Sequence, residues 1–354
     1  MIYCTRCCLP DTTEGIAFDE MGICKACRAS EEKMRIDWTV RAAALETLLT
    51  EAKATAGDNY DCLVPISGGK DSAWQLHVLT KVYGMRPLAV TFSHNWFSAT
   101  GWANLWNVIE RLDVDHIMYT PKRSLVNRLA RASLPLIGDS CWHCHAGVMA
   151  FPLQIAVKLS IRLMVYGESP AEFSGRDTFG AQEFRMTSAC SVAEIHMAGS
   201  VRTGPDAVVG ADISKAELAM FYPPSKVDLE TAGIRAIYLG DYMFWDHEKQ
   251  VEFLVDEYGW QEDVVEGSYK RYKSVECRMP GVHDYSKYLK RGYGRGTDFA
   301  SQDVRAGLMT REDGMALAAK VDGERPGALD EYLRTTGYDE AEFAAILAGM
   351  RRQD

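Results

Sequence analysis

The sequence predicts an α/β protein with a doubly wound, mostly parallel β-sheet, a small cysteine-rich segment before it and a helical region after it. Between residues 60 and 166, short apolar runs alternate with helical stretches, which is typical of a parallel sheet covered on both faces. Four cysteines form two closely spaced pairs within the first 27 residues. Beyond residue 246 only helical patterns remain. We therefore predict three regions, at residues 1–35, 36–245 and 246–354.

The bulk composition favours a soluble globular protein of about two domains. The chain has 354 residues, of which 47% are hydrophobic and 25% charged. A net charge of −10 argues against a nucleic-acid partner, because phosphate binding needs a basic surface. No run approaches the ~18 apolar residues of a membrane span, and the first residues lack the apolar core of a signal peptide. We expect a cytoplasmic protein with no membrane partner.

The elements follow from hydrophobic periodicity. The predicted strands are residues 60–66, 88–92, 116–119, 162–166 and 235–239. The predicted helices of the first two regions are residues 37–54, 72–83, 102–112, 125–132 and 148–159. The predicted helices of the last region are residues 247–258, 311–320, 328–335 and 339–351. Residues 169–224 show no clear pattern, and we expect a long insertion or substrate loops there.

A glycine-rich loop, Ser67-Gly68-Gly69-Lys70-Asp71-Ser72, joins the first strand to a helix. Two glycines let the backbone approach phosphates, and the N–H groups at the helix start attract an anion. Lys70 adds a positive charge, Ser67 and Ser72 add hydroxyl groups, and Asp71 can hold Mg²⁺. The spacing differs from that of a Walker A loop. It resembles the SGGxDS signature of PP-loop ATP pyrophosphatases, which implies ATP cleavage between the α- and β-phosphates, with Lys70, Asp71 and Ser72 in catalytic positions.

Further nucleotide contacts are expected where the parallel strands end, because ligands bind at the carboxyl edge of such sheets. The second strand ends where PP-loop proteins commonly hold adenine. The candidates, taken with the loop residues Ser67, Gly68 and Gly69, are Pro65, Ile66, Thr91, Phe92, Ser93, Gly167 and Glu168.

The amino-terminal cysteines predict a zinc site. Cys4 and Cys7 form one C-x2-C pair, and Cys24 and Cys27 form another. This spacing is typical of zinc sites, and four thiolates suit a closed structural site. A disulfide is the weaker alternative in a reducing compartment. Cys8 is adjacent and makes the ligand assignment ambiguous.

A second cysteine cluster lies in the segment Cys141-Trp142-His143-Cys144-His145. Two thiols are too few to hold a metal alone, so Cys277 or His145 would have to supply a further ligand. Metal binding, an iron–sulfur cluster, a redox pair or simple burial all remain open. Cys62 and Cys190 are expected to be small core residues.

The loop and the cysteines together resemble the N-acetyl sugar amidotransferase family of PP-loop enzymes, and the resemblance extends over nearly the whole chain. The matching stretches are CTRC at 4–7, LPDT at 9–12, GIAFD at 15–19, GICKAC at 22–27, IDW at 36–38, PISGGKDS at 65–72, GD at 138–139, CWHCHAG at 141–147, YGE at 166–168 and DYSKYLKRGYGR at 284–295.

The resemblance implies a defined reaction. ATP would adenylylate the acetamido carbonyl of a nucleotide-activated sugar, and ammonia would replace the oxygen to give an acetamidino sugar for a bacterial surface glycan. ATP, Mg²⁺ and Zn²⁺ are the implied cofactors. A fused glutaminase would need a domain of its own, for which the chain has no room. We therefore expect a separate glutaminase partner, and we leave open a homodimer.

Two other functions stay open. A tRNA thiolase would use Cys141, Cys144 and Cys277 to hold an iron–sulfur cluster, although the acidic charge counts against a tRNA substrate. A non-catalytic protein would use the zinc knuckle for binding and the sheet as a nucleotide sensor. The basic and aromatic residues at 285–295 are predicted to bind the diphosphate of a nucleotide sugar, to close over ATP or to form a solvated face.

Overall fold

The predicted α/β fold is confirmed by the structure, a computed structural model that describes residues 1–171 and 204–351, with the backbone of Phe184–Arg185 between them. The described strands form one six-stranded sheet in the order β3-β2-β1-β4-β6-β5. Five strands are parallel, and β5 pairs antiparallel with β6 at the edge. The strands are β1 (Cys62–Pro65), β2 (Pro87–Phe92), β3 (His116–Tyr119), β4 (Leu163–Tyr166), β5 (Phe184–Arg185) and β6 (Arg235–Tyr238).

The described helices include a counterpart for each of the nine predicted ones and add four more, α1, α7, α9 and α10. They are α1 (Lys25–Lys33), α2 (Trp38–Ala56), α3 (Lys70–His77), α4 (Ala99–Leu112), α5 (Arg123–Ile137), α6 (Trp142–Lys158), α7 (Lys226–Ala232), α8 (His247–Tyr258), α9 (Pro280–Arg291), α10 (Arg295–Arg305), α11 (Arg311–Val321), α12 (Ala328–Thr336) and α13 (Glu340–Gly349). A π-helical turn, Val78–Val82, continues α3. Short 3₁₀ turns lie at Pro205–Val208, Ala219–Phe221 and Leu239–Asp241.

The sheet is covered on both faces because side chains alternate along each strand. In β1, Cys62 and Val64 face a cluster that includes residues of α2, α3, α4 and α8. Leu63, between them, faces a second cluster that includes residues of α5, α6 and α7. Cys62 is fully buried, as expected for a core residue. Cys190 lies outside the described residues.

Strand order places the loop at the topological switch point of the sheet. From β1 the chain moves outward to β2 and then β3, and it returns to place β4 on the other side of β1. The connection that follows β1 therefore leads to one side of the sheet, and the connection that follows β4 leads to the other side. A crevice opens between the carboxyl ends of these two strands. Residues 66–72 follow β1, and Gly167 and Glu168 follow β4, so both predicted loops border this crevice.

One predicted helix starts at the wrong residue, and the helix α9 was not predicted. We predicted a helix from residue 148, but α6 begins at Trp142 and takes in most of the Cys/His segment. Cys141 accepts hydrogen bonds from the backbone N–H groups of Cys144 and His145, which closes the first turn. In α9, basic and aromatic residues conceal an apolar stripe that packs against α12 and α13, so periodicity alone did not indicate a helix there.

Candidate active site

The loop between β1 and α3 brings its main chain close to a neighbouring helix. Gly68 has a φ of +82°, a backbone conformation that residues with a side chain rarely adopt. A Cβ atom at this position would lie 2.6 Å from the carbonyl oxygen of Gly101 in α4. Gly69 is the N-cap of α3, and no side chain caps that end of the helix. An uncapped helix start next to glycines suits a phosphate group.

Hydrogen bonds hold the loop in this shape. Ser72 Oγ donates to the Gly69 carbonyl oxygen at 3.0 Å and accepts from the Ser67 N–H at 3.3 Å. The Trp260 indole N–H donates to the Gly68 carbonyl oxygen at 3.0 Å. The predicted serines thus shape the loop itself, which is fixed before any ligand arrives.

A buried lysine lies at the centre of the crevice. Lys70 is only 2% exposed, and its ammonium group contacts the Asp71 carboxylate. Lys70 Nζ also lies 2.7 Å from His247 Nδ1, and His247 Nε2 lies 2.9 Å from Glu168 Oε1. One donor atom each from Asp71, Glu168 and His247 lies within 4.8 Å of the others. The structure therefore brings together Lys70, Asp71 and Glu168 from the predicted residues and adds His247.

Charges around this centre set its protonation state. Burial raises the pKa of the Asp71 carboxyl, but the charges of Lys70 and Lys273 outweigh burial and hold this pKa below its usual value. Burial and the charges of Lys273 and Lys70 hold the pKa of His247 well below its usual value. Asp71 is therefore an anion and His247 a neutral imidazole near pH 7. The Trp245 indole N–H also donates to Asp71 Oδ1 at 3.2 Å.

A carboxy-terminal segment adds groups that the sequence did not reveal. The backbone of Glu276 lies against α4, where the Ser98 N–H donates to the Glu276 carbonyl oxygen at 3.1 Å. A Cβ on Gly69 would lie 3.1 Å from Glu276 Oε2, so this carboxyl group borders the loop. Burial, together with the charge of Lys70, lowers the pKa of the nearby Lys273 to about 8. No motif marks Lys273 or Glu276, and only the folded chain brings them to the loop.

The candidates at the end of β2 are engaged in the protein's own packing. Thr91 Oγ1 donates to the Ile66 carbonyl oxygen at 3.0 Å, which links β2 to the strand end before the loop. The Phe92 ring packs in the core beside α6. The Ser93 N–H donates to the Tyr119 carbonyl oxygen at 2.8 Å. The side chains of Thr91 and Phe92 therefore serve the core.

The remaining strand-end candidates line the switch point itself. Pro65 ends β1, and the Ile66 N–H continues the ladder by donating to the Val90 carbonyl oxygen at 2.9 Å. Gly167 accepts the Gly240 N–H at 2.8 Å, which ties the end of β4 to the end of β6. Glu168 follows directly and is 5% exposed. Its side chain reaches from the end of β4 to His247.

The four amino-terminal cysteines come together as predicted. The sulfur atoms of Cys4 and Cys27 lie 3.8 Å apart, and those of Cys7 and Cys24 lie 3.6 Å apart. These spacings exceed a disulfide bond of about 2.05 Å. They fit four sulfurs placed ~2.3 Å from one tetrahedral ion, which would lie ~3.8 Å apart. The buried group of four sulfur atoms could therefore hold a metal ion.

The ambiguity over Cys8 is resolved by its surroundings. Cys8 Sγ points to the Arg311 carbonyl oxygen at 3.8 Å and packs with Ala300 and Ala318, away from the four clustered thiols. Arg311 Nε in turn donates to the carbonyl oxygens of Cys4 and Cys7 at 3.0 and 3.2 Å. The cysteine group is thus anchored on α11.

The second cysteine cluster has a different character. Cys141, Cys144 and Cys277 lie in or beside an apolar cluster with α9, α12 and α13. Burial is the largest cause that raises the pKa of each thiol, so all three are protonated near pH 7. Within residues 1–171 and 204–351, the groups of donor atoms that lie within 4.8 Å of one another do not include these three thiols together. This geometry gives no support to a cluster there.

The basic residues at 285–295 are neither a solvated face nor unpaired phosphate ligands. Their charged groups contact acidic side chains or carbonyl oxygens elsewhere in the fold. The contacts are Lys287 with Asp298, Lys290 Nζ with the Ile137 carbonyl oxygen at 2.9 Å, Arg291 Nη2 with Glu14 Oε2 at 2.7 Å and Arg295 Nε with Asp284 Oδ2 at 2.7 Å. The contacts of Lys287 and Arg295 join α9 to α10, whereas those of Lys290 and Arg291 hold α9 against α5 and the amino-terminal segment.

Comparison with known proteins gives one match to a protein family, in the carboxy-terminal region. Residues 266–354 match the family described as LPS biosynthesis protein WbpG-like, C-terminal domain. Among solved structures, an NMN synthetase from Francisella tularensis is similar with a TM-score of 0.32 and 12% identity, over 65% of this chain and 98% of that one. No match to a curated protein was found. Among the described helices, none combines the length and the hydrophobicity that a membrane span requires.

Proposed function

We propose that this protein is an AMP-forming amidotransferase that converts the acetamido group of a nucleotide-activated sugar into an acetamidino group. The observation that carries the proposal is the glycine-rich loop at the switch point, with buried Lys70 beside Asp71, Glu168 and His247. A fixed anion-binding loop with a buried cation suits the polyphosphate of ATP. The match of residues 266–354 to a lipopolysaccharide-biosynthesis family supports a glycan substrate.

In the first step, the acetamido carbonyl oxygen attacks the α-phosphorus of ATP, and pyrophosphate leaves. The loop N–H groups and the Lys70 ammonium group stabilise the charge that develops on the departing pyrophosphate. The carboxylates of Asp71 and Glu168 are the oxygen ligands that Mg²⁺ prefers, and they would hold the ion that neutralises these phosphates. Neutral His247 keeps Lys70 and Glu168 in position through its two ring nitrogens.

In the second step, ammonia attacks the activated carbon, and AMP leaves with the original carbonyl oxygen. Attack by ammonia and loss of AMP give an amidine, and the released protons pass to solvent. In this proposal a separate glutaminase supplies the ammonia.

The test is AMP formation across a panel of UDP- and CMP-linked acetamido sugars, with ammonium or glutamine as the nitrogen source. We expect AMP with at least one sugar and with ammonium, and no turnover with glutamine for the purified chain alone. With ¹⁸O in the acetyl carbonyl, the label should appear in AMP, because that oxygen leaves with the phosphate. No AMP from any sugar would overturn the proposed reaction, and efficient use of glutamine would overturn the separate partner.

Lys273 should give the ATP-dependent step a pH dependence. Its pKa of about 8 lies below the usual lysine value because of burial and the charge of Lys70, so the side chain loses its proton as pH rises through that value. We expect kcat/KM for ATP to fall above about pH 8, since the uncharged amine no longer attracts phosphate. In Lys273→Arg the charge persists, and the fall should disappear. The same fall in both proteins would show that another group titrates.

A further inference from the structure

A second cluster of potential metal ligands lies apart from the glycine-rich loop and the four cysteines. Asp139 lies between α5 and α6, His145 in the first turn of α6 and His283 in the first turn of α9. One donor atom from each lies within 4.8 Å of the others. His145 Nδ1 is 2.9 Å from Asp139 Oδ2, and the rings of His145 and His283 are 5.5 Å apart at a right angle.

We propose that Asp139, His145 and His283 bind a divalent transition-metal ion such as Zn²⁺. Two imidazoles and one carboxylate suit zinc and its first-row neighbours, whereas Mg²⁺ prefers oxygen ligands alone. Donor atoms placed ~2.1 Å from one ion lie roughly 3–4 Å apart, so small side-chain adjustments close the site. Three protein ligands leave at least one coordination position for water or a substrate oxygen.

Surrounding groups orient these ligands as in known metal sites. His283 Nδ1 lies 3.0 Å from Asp284 Oδ1, so the carboxylate fixes the ring and leaves Nε2 as the donor for a metal. Asp284 is held in turn by Arg295 Nε at 2.7 Å. Asp139 Oδ1 accepts the Cys141 N–H at 2.7 Å, which turns Oδ2 toward His145. An ordinary contact between a histidine and an aspartate at the protein surface would not need these additional hydrogen bonds to orient the side chains.

The burial of the three ligands is uneven. Asp139 is 6% exposed at the side chain, His145 is 16% and His283 is 30%. The carboxylate is therefore shielded from water, while the His283 side opens to solvent. An ion could enter from that side, and its remaining coordination position would face the same way.

The site differs chemically from the two other ligand groups of the described residues. The four-cysteine group offers sulfur alone. The group at Asp71, Glu168 and His247 holds the Lys70 ammonium among its donors, which disfavours a second cation in the absence of nucleotide. In nucleotide-free protein, zinc beyond the four-cysteine site is therefore assigned to Asp139, His145 and His283. This assignment does not depend on the reaction proposed above.

Elemental analysis of the nucleotide-free wild-type protein after gel filtration provides the test. We expect about two zinc ions per chain, one at each site. Replacement of zinc by Co²⁺ should give two spectral components, one with thiolate-to-cobalt bands from the cysteine site and one without them. About one ion per chain, with thiolate bands alone, would overturn the proposal in the wild-type protein itself.

Matched variants locate the second ion. His145→Asn and His283→Asn should each lose about one zinc ion and the cobalt component without thiolate bands. His116→Asn, on β3, removes an imidazole that hydrogen-bonds Thr91 and lies outside the cluster, so it should keep the wild-type content. Unfolding temperatures show whether each variant is folded. If both variants are folded and keep the full metal content, the proposal is wrong, and Asp139 and His145 are only a hydrogen-bonded pair.

Discussion

Replacing Lys70 by methionine is expected to lower kcat/KM for AMP formation by roughly 10²–10³-fold, the loss seen when one preorganised group is removed from a developing anion. Methionine keeps much of the length and apolar stem of lysine, so the buried position remains filled. What disappears is the only side-chain cation within the six-residue loop. The measurement is the initial rate of AMP release at limiting ATP.

Lys81 supplies the matched control. It is exposed on the π-helical turn that continues α3, and Lys81→Met removes the same charge from the same helical segment. We expect near wild-type rates for Lys81→Met. Equal rates in the two variants would show that Lys70 takes no part in the reaction and that the loop is only a structural turn.

The sequence was sufficient to locate the loop because its chemistry lies within six consecutive residues after a buried strand. Glu168 was also predictable, since strand order places the end of β4 beside the end of β1. His247, Lys273 and Glu276 were not. They follow the sheet by many residues, and only the packing of α8 and of the segment before α9 brings them to the loop.

The charged residues of the carboxy-terminal region show the same limit of prediction from sequence. Alternating lysines and arginines along one segment suggest a ligand site or a wet surface, and the sequence does not choose between them. In the structure, Arg291 pairs with Glu14 and Lys287 with Asp298. One partner lies at the other end of the chain, so its proximity depends on the tertiary fold. Asp139, His145 and His283 come together for the same reason.

Loss of the amino-terminal metal should have the largest effect on stability. We expect Cys24→Ser to lose about one metal ion and to lower the free energy of unfolding by several kcal/mol, because structural zinc contributes about 10–16 kcal/mol in zinc-finger peptides. Cys24 also caps α1, where its sulfur accepts the Cys27 N–H at 3.4 Å. The damage should extend beyond the first residues, since Arg311 of α11 donates to the carbonyl oxygens of Cys4 and Cys7.

Cys8→Ser separates the loss of a ligand from the loss of a buried thiol. Cys8 is as buried as its neighbours, but its sulfur lies outside the group of four. It should keep the full metal content and lose only the modest stability that follows from placing a hydroxyl group in an apolar site, about 1–3 kcal/mol. Denaturant unfolding and metal analysis of both variants decide the matter. If Cys24→Ser keeps the metal content of the wild type, Cys24 is not a metal ligand. If a chelator leaves the unfolding of the wild type unchanged, the four cysteines are a packed thiol cluster, and the contacts with α11 hold this segment without an ion.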